Sequence, residues 1–317
     1  MLCDKYISFC DIKKNIMKLL SHYTEQQMKR YPEIENWKNH LIGDMLSYSC
    51  RDTVYDRRTF PSNLHYHDYY ELVIFEEGDI QYVCEGSVYH PKYGDIILIP
   101  PGKFHMSVIN CENTRYKRHV FYLYSSSFDA IGHSALTSFL SNTKNEELLL
   151  ISSFEERQTL MDLLENLEKA LDGSPSQLEK ALGLSYIIHI FYLLNQKNCQ
   201  PKNETSSLPE NILMLQQYID QNFHQISSVA EVADHFFYSR EYVSRLFRKY
   251  FDTTISDYIM KRRIVKSQSL IMQEIPMIDI AYQVGFGSLS TFIRAFRSVT
   301  NMTPSEYRKL HKEIFSK

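Results

Sequence analysis

The stretch from Ile280 to Arg297, IAYQVGFGSLSTFIRAFR, leaves a chain few ways to fold. Phe292, Ala295, Phe296 and Val299 recur at helical spacing and form one apolar face, with Ser290, Ile293, Arg294 and Arg297 on the opposite side. Just upstream, Gly285 suits the left-handed residue that ends one helix, and Ser288 suits the N-cap of the next. A short helix, a glycine turn and a second helix exposing two arginines make a helix-turn-helix, a shape that enters a DNA groove.

The figure occurs a second time, 49 residues upstream. Val229, Val232 and Ala233 give an apolar stripe, Phe237-Tyr238 the turn, and Ser239 the cap of a helix with Val243, Leu246, Phe247 and Tyr250 on one face. Arg240, Glu241, Ser244, Arg245 and Arg248 fall on the other. Arg245 and Arg294 hold equivalent places, each two residues before a core-facing Phe. Between the copies, Ile255 to Ile271 contains no Gly or Pro and is expected as one continuous linking helix. Two copies on a rigid spacer point to two successive contacts along one duplex.

Charge agrees with this division. Residues 210–317 hold 14 Lys+Arg against 11 Asp+Glu, whereas the rest of the chain holds 21 against 27. Within 239–266 the count is eight basic to three acidic. A basic segment in a mildly acidic chain fits a DNA-binding module joined to something that does not bind DNA. Arg245 and Arg294 are the expected base readers, since a guanidinium can bond guanine O6 and N7 together, with Glu241, Ser244, Leu289 and Ser290 tuning base choice. Arg248, Lys249, Arg297 and the helix starts capped by Ser239 and Ser288 are expected on phosphates.

From about Leu208 to Lys312 the chain resembles the paired helix-turn-helix domain of the AraC/XylS transcription regulators. The run from Ile280 to Tyr307, closing Thr303-Pro304-Ser305-Glu306-Tyr307-Arg308, carries the likeness best. Asp252 and Asn301 stand where the family commonly has glycine, a mild departure because both tolerate positive φ. Phe237 fills a turn position usually given to a smaller residue and is expected to shift the first turn.

Upstream of a polar linker at 198–209, two helices are expected, from about Glu146 to Leu171 and from about Gln177 to Gln196. The second is apolar nearly all round and needs cover on both sides: its own domain alone, or its domain and a second subunit, with Ile187 and Ile190 at the subunit contact. The family resemblance favours the homodimer.

Residues 50–125 shift to short runs rich in Val, Ile, Tyr and Phe broken by Gly and Pro, the spacing of a barrel or sandwich. Here the chain resembles the two boxes of the cupin fold. The first is His65-x-His67, three residues, Glu71, six residues, Gly78; the second is Gly94, five residues, Pro100-x-Gly102, two residues, His105. Ile109 replaces the asparagine that often closes the second box. On one extended strand His65, His67, Tyr69 and Glu71 share parity and face the same way, where His105 can join them. Three histidines and a carboxylate can ligate a divalent first-row metal, or they can line the barrel and bond to each other or to an effector. Tyr66, Tyr70, Tyr82, Tyr89, Tyr93, Tyr116 and Tyr122 add a lining suited to a sugar or another small polar ligand.

The expected architecture is therefore α+β and multidomain: an N-terminal cupin-like β-barrel with flanking helices, then an all-α domain with two helix-turn-helix units. The expected divisions are a helical extension at 1–50 (one amphipathic helix carrying Ile12, Ile16, Leu19 and Leu20, a second from Pro32 to Met45), a sensing and dimerisation domain at 51–197, the linker, and a DNA-binding domain at 210–317. Six scattered cysteines, no membrane-length apolar run and no secretion signal point to a cytoplasmic protein with reduced thiols. The expected function is a ligand-responsive transcription regulator with double-stranded DNA and a small, carbohydrate-like effector as partners, and RNA polymerase as a further candidate. No catalytic residue is assigned. The alternative is a metal-dependent cupin enzyme fused to a DNA-binding domain; beyond Glu71 no general acid or base stands at defined spacing.

Overall fold

A computed structural model describes residues 38–41, 46–55, 64–124, 127–128, 134–142, 154–196, 206–273 and 275–315. The chain divides into two compact units, Met1–Ser206 and Ser207–Lys317.

The first unit is built on two antiparallel sheets. Strands β1 (Lys38–Leu41), β2 (Leu46–Tyr55), β3 (Tyr70–Glu77), β6 (Ile96–Ile99) and β8 (Thr114–Leu123) form one, in the order β1-β2-β8-β3-β6. In the other, β4 (Ile80–Cys84) lies between β7 (His105–Ile109) and β5 (Ser87–Tyr89). Strand alternation gives the larger sheet two different faces. Tyr55, Val73, Phe75, Ile97, Ile99, Tyr116, Val120 and Tyr122 meet Ile80, Tyr82, Tyr89 and Ile109 of the second sheet in one core. Leu46, Tyr48, Leu72, Ile74, Phe121 and Leu123 point the other way, onto a helical layer.

That layer comprises the short α1 (Ser138–Asn142), α2 (Phe154–Ala170) and α3 (Gln177–Asn195). A capping box opens α3, where the Ser176 hydroxyl accepts from Glu179 N–H and Glu179 accepts from Ser176 N–H. Gly183, Ile187, Ile190, Phe191 and Leu194 are buried along α3, whereas Leu178 is 80% exposed and Leu182 and Tyr192 about half exposed. Ile187 and Ile190 therefore belong to the core of their own domain. The outward apolar stripe runs instead through Leu178, Leu182 and Tyr192.

The N-terminal expectation needs a correction as well. Residues 38–41, expected in a helix, form a strand paired with Ser47–Cys50, and β2 begins at Leu46, inside the expected helical extension. The alternation Leu46, Tyr48, Cys50 on one face and Ser47, Ser49, Arg51 on the other has period two, which outweighs a few helix-forming residues. The expected helix around Ile12 to Leu20 lies outside the described residues.

The second unit is helical: α4 (Glu210–Asn222), α5 (Val229–His235), α6 (Arg240–Phe251), α7 (Ile255–Ile271), α8 (Met277–Gln283), α9 (Leu289–Thr300) and α10 (Pro304–Phe315). The linking helix α7 is continuous over the expected range and packs against α4, α6, α8, α9 and α10. Aromatic clusters repeat on its two sides, Phe247, Phe251 and Tyr258 in the first, Phe292, Phe296 and Tyr307 in the second. Burying each such ring stabilises by about 1.5–3 kcal/mol. No helix among the described residues is long and apolar enough to cross a membrane, and Cys50, Cys84 and Cys111 are free thiols.

Candidate nucleic-acid interface and effector site

Both helix-turn-helix units are made by the same hydrogen bonds. Helix α5 ends when Phe237 N–H donates to Asp234 O and Tyr238 N–H to Ala233 O; α8 ends when Gly285 N–H donates to Tyr282 O and Phe286 N–H to Ala281 O. This is the double-bonded ending that needs a left-handed residue next to last, and φ is +56° at Phe237 and +95° at Gly285. Ser239 and Ser288 then cap α6 and α9, accepting from Tyr242 N–H and Thr291 N–H. The left-handed residues Asp252 and Asn301 end those helices. The spacing is not a uniform 49: α5 and α8 begin 48 residues apart, at 229 and 277, and α6 and α9 49 apart, at 240 and 289. The second turn is one residue longer because Gly287 is added.

On α6, Glu241, Ser244, Arg245, Arg248 and Lys249 are exposed, and on α9 so are Ser290, Arg294 and Arg297. Ser239 is exposed and Ser288 half-buried. Two expected outward residues differ: Leu289 and Ile293 are partly buried and pack against the core of the second unit. The basic count over 239–266 also needs sorting. Arg262 pairs with Asp220 at 2.6 Å, and Arg263 donates to the carbonyls of Phe223 (2.9 Å) and Ile226 (2.7 Å). Those two arginines hold the end of α4. Arg308 does the same in the second unit, donating to Ile271 O and Ile275 O. Arg245, Arg248, Arg294 and Arg297 enter no ion pair among the described residues, so their cationic heads face water on the two equivalent helices.

In the first unit, the cupin-like residues meet between the sheets, though not along one strand. Regular β3 begins only at Tyr70. Two backbone bonds tie His65 to His105 (2.9 and 3.0 Å), and the chain bends through 66–69 before re-entering the sheet at Glu71. The residues that the expected parity grouped lie close together, but by a different route. His67 Nε2 lies 2.9 Å from Glu71 Oε2 and His105 Nε2 lies 3.2 Å from the same oxygen. The His65 and His105 ring centres are 4.2 Å apart, and ligand atoms of His65, Glu71 and His105 all lie within 4.8 Å of one another. Tyr69 stacks flat on His67, 4.1 Å between centres.

Proton accounting shows what this cluster needs. His67 Nδ1–H donates to Tyr69 O at 2.7 Å and His105 Nδ1–H to Lys103 O at 2.9 Å; a carbonyl only accepts, so both hydrogens sit on Nδ1. Neutral rings then present bare Nε2 lone pairs to the Glu71 oxygen. Burial lowers the His67 pKa, which favours that neutral form. Burial alone would raise the Glu71 carboxyl, but the bonds to His105 and His67 outweigh it and hold it well below the usual carboxylate range. A positive charge must sit among these three atoms, either a proton or a metal ion. Two ligands at ~2.1 Å from one ion and at right angles to each other stand about 3 Å apart, close to both separations, so the residues fit a metal.

Of the tyrosines expected to line the pocket, Tyr82, Tyr89, Tyr116 and Tyr122 are in the inter-sheet core, while Tyr66 packs at a tilt against Phe104. Tyr70 packs toward the helical layer and Tyr93 is half exposed. Two interior residues went unseen in the sequence: Arg51 and Arg118, 6% and 7% exposed. Their place in the alternation of Ser47, Ser49, Arg51 and of Tyr116, Arg118, Val120 was the available signal.

A chain with two sheets enclosing titratable groups, followed by a doubled helix-turn-helix, is a regulator with a ligand-binding part and a DNA-binding part. The AraC-like ligand binding domain matches residues 48–188, and a helix-turn-helix domain matches 232–310. The transcriptional activator RhaR of Mannheimia succiniciproducens is 24% identical over 253 residues, 78% of this chain and 87% of its own. The melibiose operon regulatory protein of Escherichia coli K12 is 23% identical over 78% of this chain and 84% of its own. The regulatory protein SoxS of Escherichia coli K12 is 38% identical over 92 residues, 29% of this chain but 86% of SoxS. The chain belongs to the AraC family of DNA-binding transcription regulators and carries an N-terminal ligand-binding domain.

Proposed function

We propose that a small effector held between the sheets of the first unit controls how α6 and α9 engage two successive turns of one duplex. Four arginines that enter no ion pair among the described residues, at equivalent places on two equally capped helices, carry this reading. Arg245 and Arg294 read bases, with Glu241, Ser244 and Ser290 beside them; Leu289 adjoins them at the start of α9. Arg248, Lys249, Arg297 and the amides at Ser239 and Ser288 hold phosphates. The test selects duplex sites from a random pool with the full chain, then compares wild type with Arg245→Ala and Arg294→Ala on the selected site and on random duplex. Each substitution should weaken the selected site by about 1–3 kcal/mol and relax preference at one base pair. Equal weakening on both duplexes removes these residues from base reading.

The effector site comprises His65, His67, Glu71 and His105, on a lining of tyrosines that suits a polyhydroxylated ligand. The operon named for the melibiose relative fits a carbohydrate-like compound. His67→Ala should abolish the effector's influence on DNA binding with the fold intact. A second reading assigns a divalent first-row metal to Glu71 and the histidines around it, supported by the 4.8 Å grouping of His65, Glu71 and His105 and by the 2.9 Å approach of His67 to Glu71; elemental analysis of protein purified without chelator tests it. The relatives are transcription regulators, which favours ligand sensing over catalysis and a cytoplasmic location. The outward stripe Leu178, Leu182 and Tyr192 of α3 supports a homodimer. Leu182→Asp should then lower the sedimenting mass by half, and a wild-type chain that sediments as a monomer ends that part of the proposal.

A further inference from the structure

The two helix-turn-helix units meet at a second place besides their shared helix α7. Arg263, half-buried on α7, donates to Phe223 O and Ile226 O and so fixes the segment between α4 and α5. In that segment the backbone of His224 closes on the turn of the second unit. A Cβ built on Gly285 would lie 2.3 Å from His224 O and 2.8 Å from its carbonyl carbon. The next turn residue, Phe286, is buried and packs on Phe292 of α9, with ring centres 5.5 Å apart. The Arg263 guanidinium lies 5.6 Å from the centre of the Phe286 ring. One arginine thus engages the first unit through two carbonyls and the second through an aromatic face. Its counterpart Arg308 makes an equivalent pair of bonds to Ile271 O and Ile275 O, at the end of α7 and just beyond it, inside the second unit. The turn of the first unit faces water instead, with Phe237 exposed.

We propose that this seam fixes the rotation of α9 relative to α6, which makes Arg263 a positioning residue for operator spacing. The chain then accepts two contact segments at one separation and rejects the same segments moved apart or together by one base pair. This rests on the reading that both helices engage one duplex. The 17 residues of α7 span about 25 Å, and long helices bend, so α7 alone sets the distance between the units better than their rotation. The seam supplies the second point of attachment. Backbone against backbone stops the units from closing further. Arg263 holds the first wall of the seam through charge-assisted bonds, and its guanidinium over Phe286 opposes opening. One base pair displaces the second contact by about 3.4 Å and turns it by about 35° around the duplex. A hinged pair of units absorbs that mismatch and a locked pair does not.

The test uses the full chain and the duplex it selects from a random pool, with hydroxyl-radical footprinting to locate the two contacted segments. Fluorescence anisotropy then compares that duplex with two derivatives, one base pair inserted or deleted between the segments. Wild type should bind the selected duplex about tenfold or more tightly than either derivative. Arg263→Gln, which loses the charge and the fork, should keep its affinity for the selected duplex within about threefold and cut the discrimination to about threefold or less. Arg308→Gln loses an equivalent pair of bonds outside the seam and should discriminate as wild type does. Circular dichroism at the assay temperature restricts the comparison to folded protein. Arg263→Lys keeps the charge but lacks the fork; it should lose part of the discrimination, and it carries the test where the glutamine variant fails to fold. Full discrimination in the Arg263 variants overturns the role of the seam. Equal loss in Arg308→Gln overturns it too, since the effect is then general loosening, and so does wild type that binds all three duplexes alike. A footprint with a single contacted segment instead overturns the reading that both helices engage one duplex, and the proposal falls with it.

Discussion

The two helix-turn-helix units share hydrogen bonds, caps and aromatic clusters, yet their turns carry opposite residues, Phe237 in one and Gly285 in the other. Both positions are left-handed, so backbone conformation alone does not explain the choice. The surroundings do. A Cβ added to Gly285 would lie 2.3 Å from the carbonyl oxygen of His224, whereas Phe237 is 96% exposed. Glycine is kept where another segment's backbone closes on the turn. Where the turn faces water, a large side chain is tolerated at the cost of strain alone.

The largest effect should therefore come from Gly285→Ala. Left-handed strain costs about 1–2 kcal/mol, and overlap with the His224 carbonyl adds a further ~1–3 kcal/mol of the overpacking kind. Chemical denaturation of the full chain, read for its helical unit, should lose most of that sum. A loss under ~1 kcal/mol would mean that the segment at His224 moves aside easily, and the contrast between the turns would shrink to chance.

Next come the arginines that cap helix ends, Arg263 in the first unit and Arg308 in the second. Each donates to two carbonyls, and bonds from a charged donor contribute about 1.5–3 kcal/mol. Arg263→Ala and Arg308→Ala should each destabilise by roughly 2 kcal/mol, with salt-dependent DNA affinity per folded molecule unchanged. A lower salt slope in either variant would place that arginine on phosphate and restore the simpler count of a basic patch.

These residues show how far the sequence could be read. Helix positions, caps and the linking helix were legible because apolar period and capping chemistry are local. Arg262 and Arg263 were not, since an arginine on a helix looks the same whether it meets a phosphate or, about 40 residues away, a carboxylate or a carbonyl. In the first unit, motif spacing found His65, His67, Glu71 and His105, but the path that joins them depends on the pairing of His65 with His105 across 40 residues. Arg51 and Arg118 escaped notice for the same reason: their burial comes from the sheet, whereas a charged residue in an isolated strand reads as solvent-facing.

A third prediction compares the outward arginines of the two units. Neutralising Arg248 or Arg297 should weaken binding to every duplex and lower the slope of log affinity against log salt by about one unit each. At physiological salt this is a smaller change than loss of a base contact. Equal slopes for the two variants would mean both units stay engaged on the duplex; a change for Arg248 alone would mean that the second unit contacts it only in part.

The smallest effect, and the only gain, is expected from Phe237→Gly. The substitution relieves left-handed strain of ~1–2 kcal/mol and gives back roughly 0.4–1 kcal/mol through the freer unfolded chain. With the ring 96% exposed, no packing is lost. The net should be a stabilisation of about 0.5–1 kcal/mol, seen as a melting point higher by a few degrees. Raised stability with unaltered regulation would make Phe237 a tolerated residue at a solvent-facing turn. Raised stability with regulation lost would instead assign the exposed ring a contact in the working complex, since strain kept at a surface position then serves binding. A melting point that falls would contradict the comparison itself, because it would show that the first turn, like the second, is held by what packs against it.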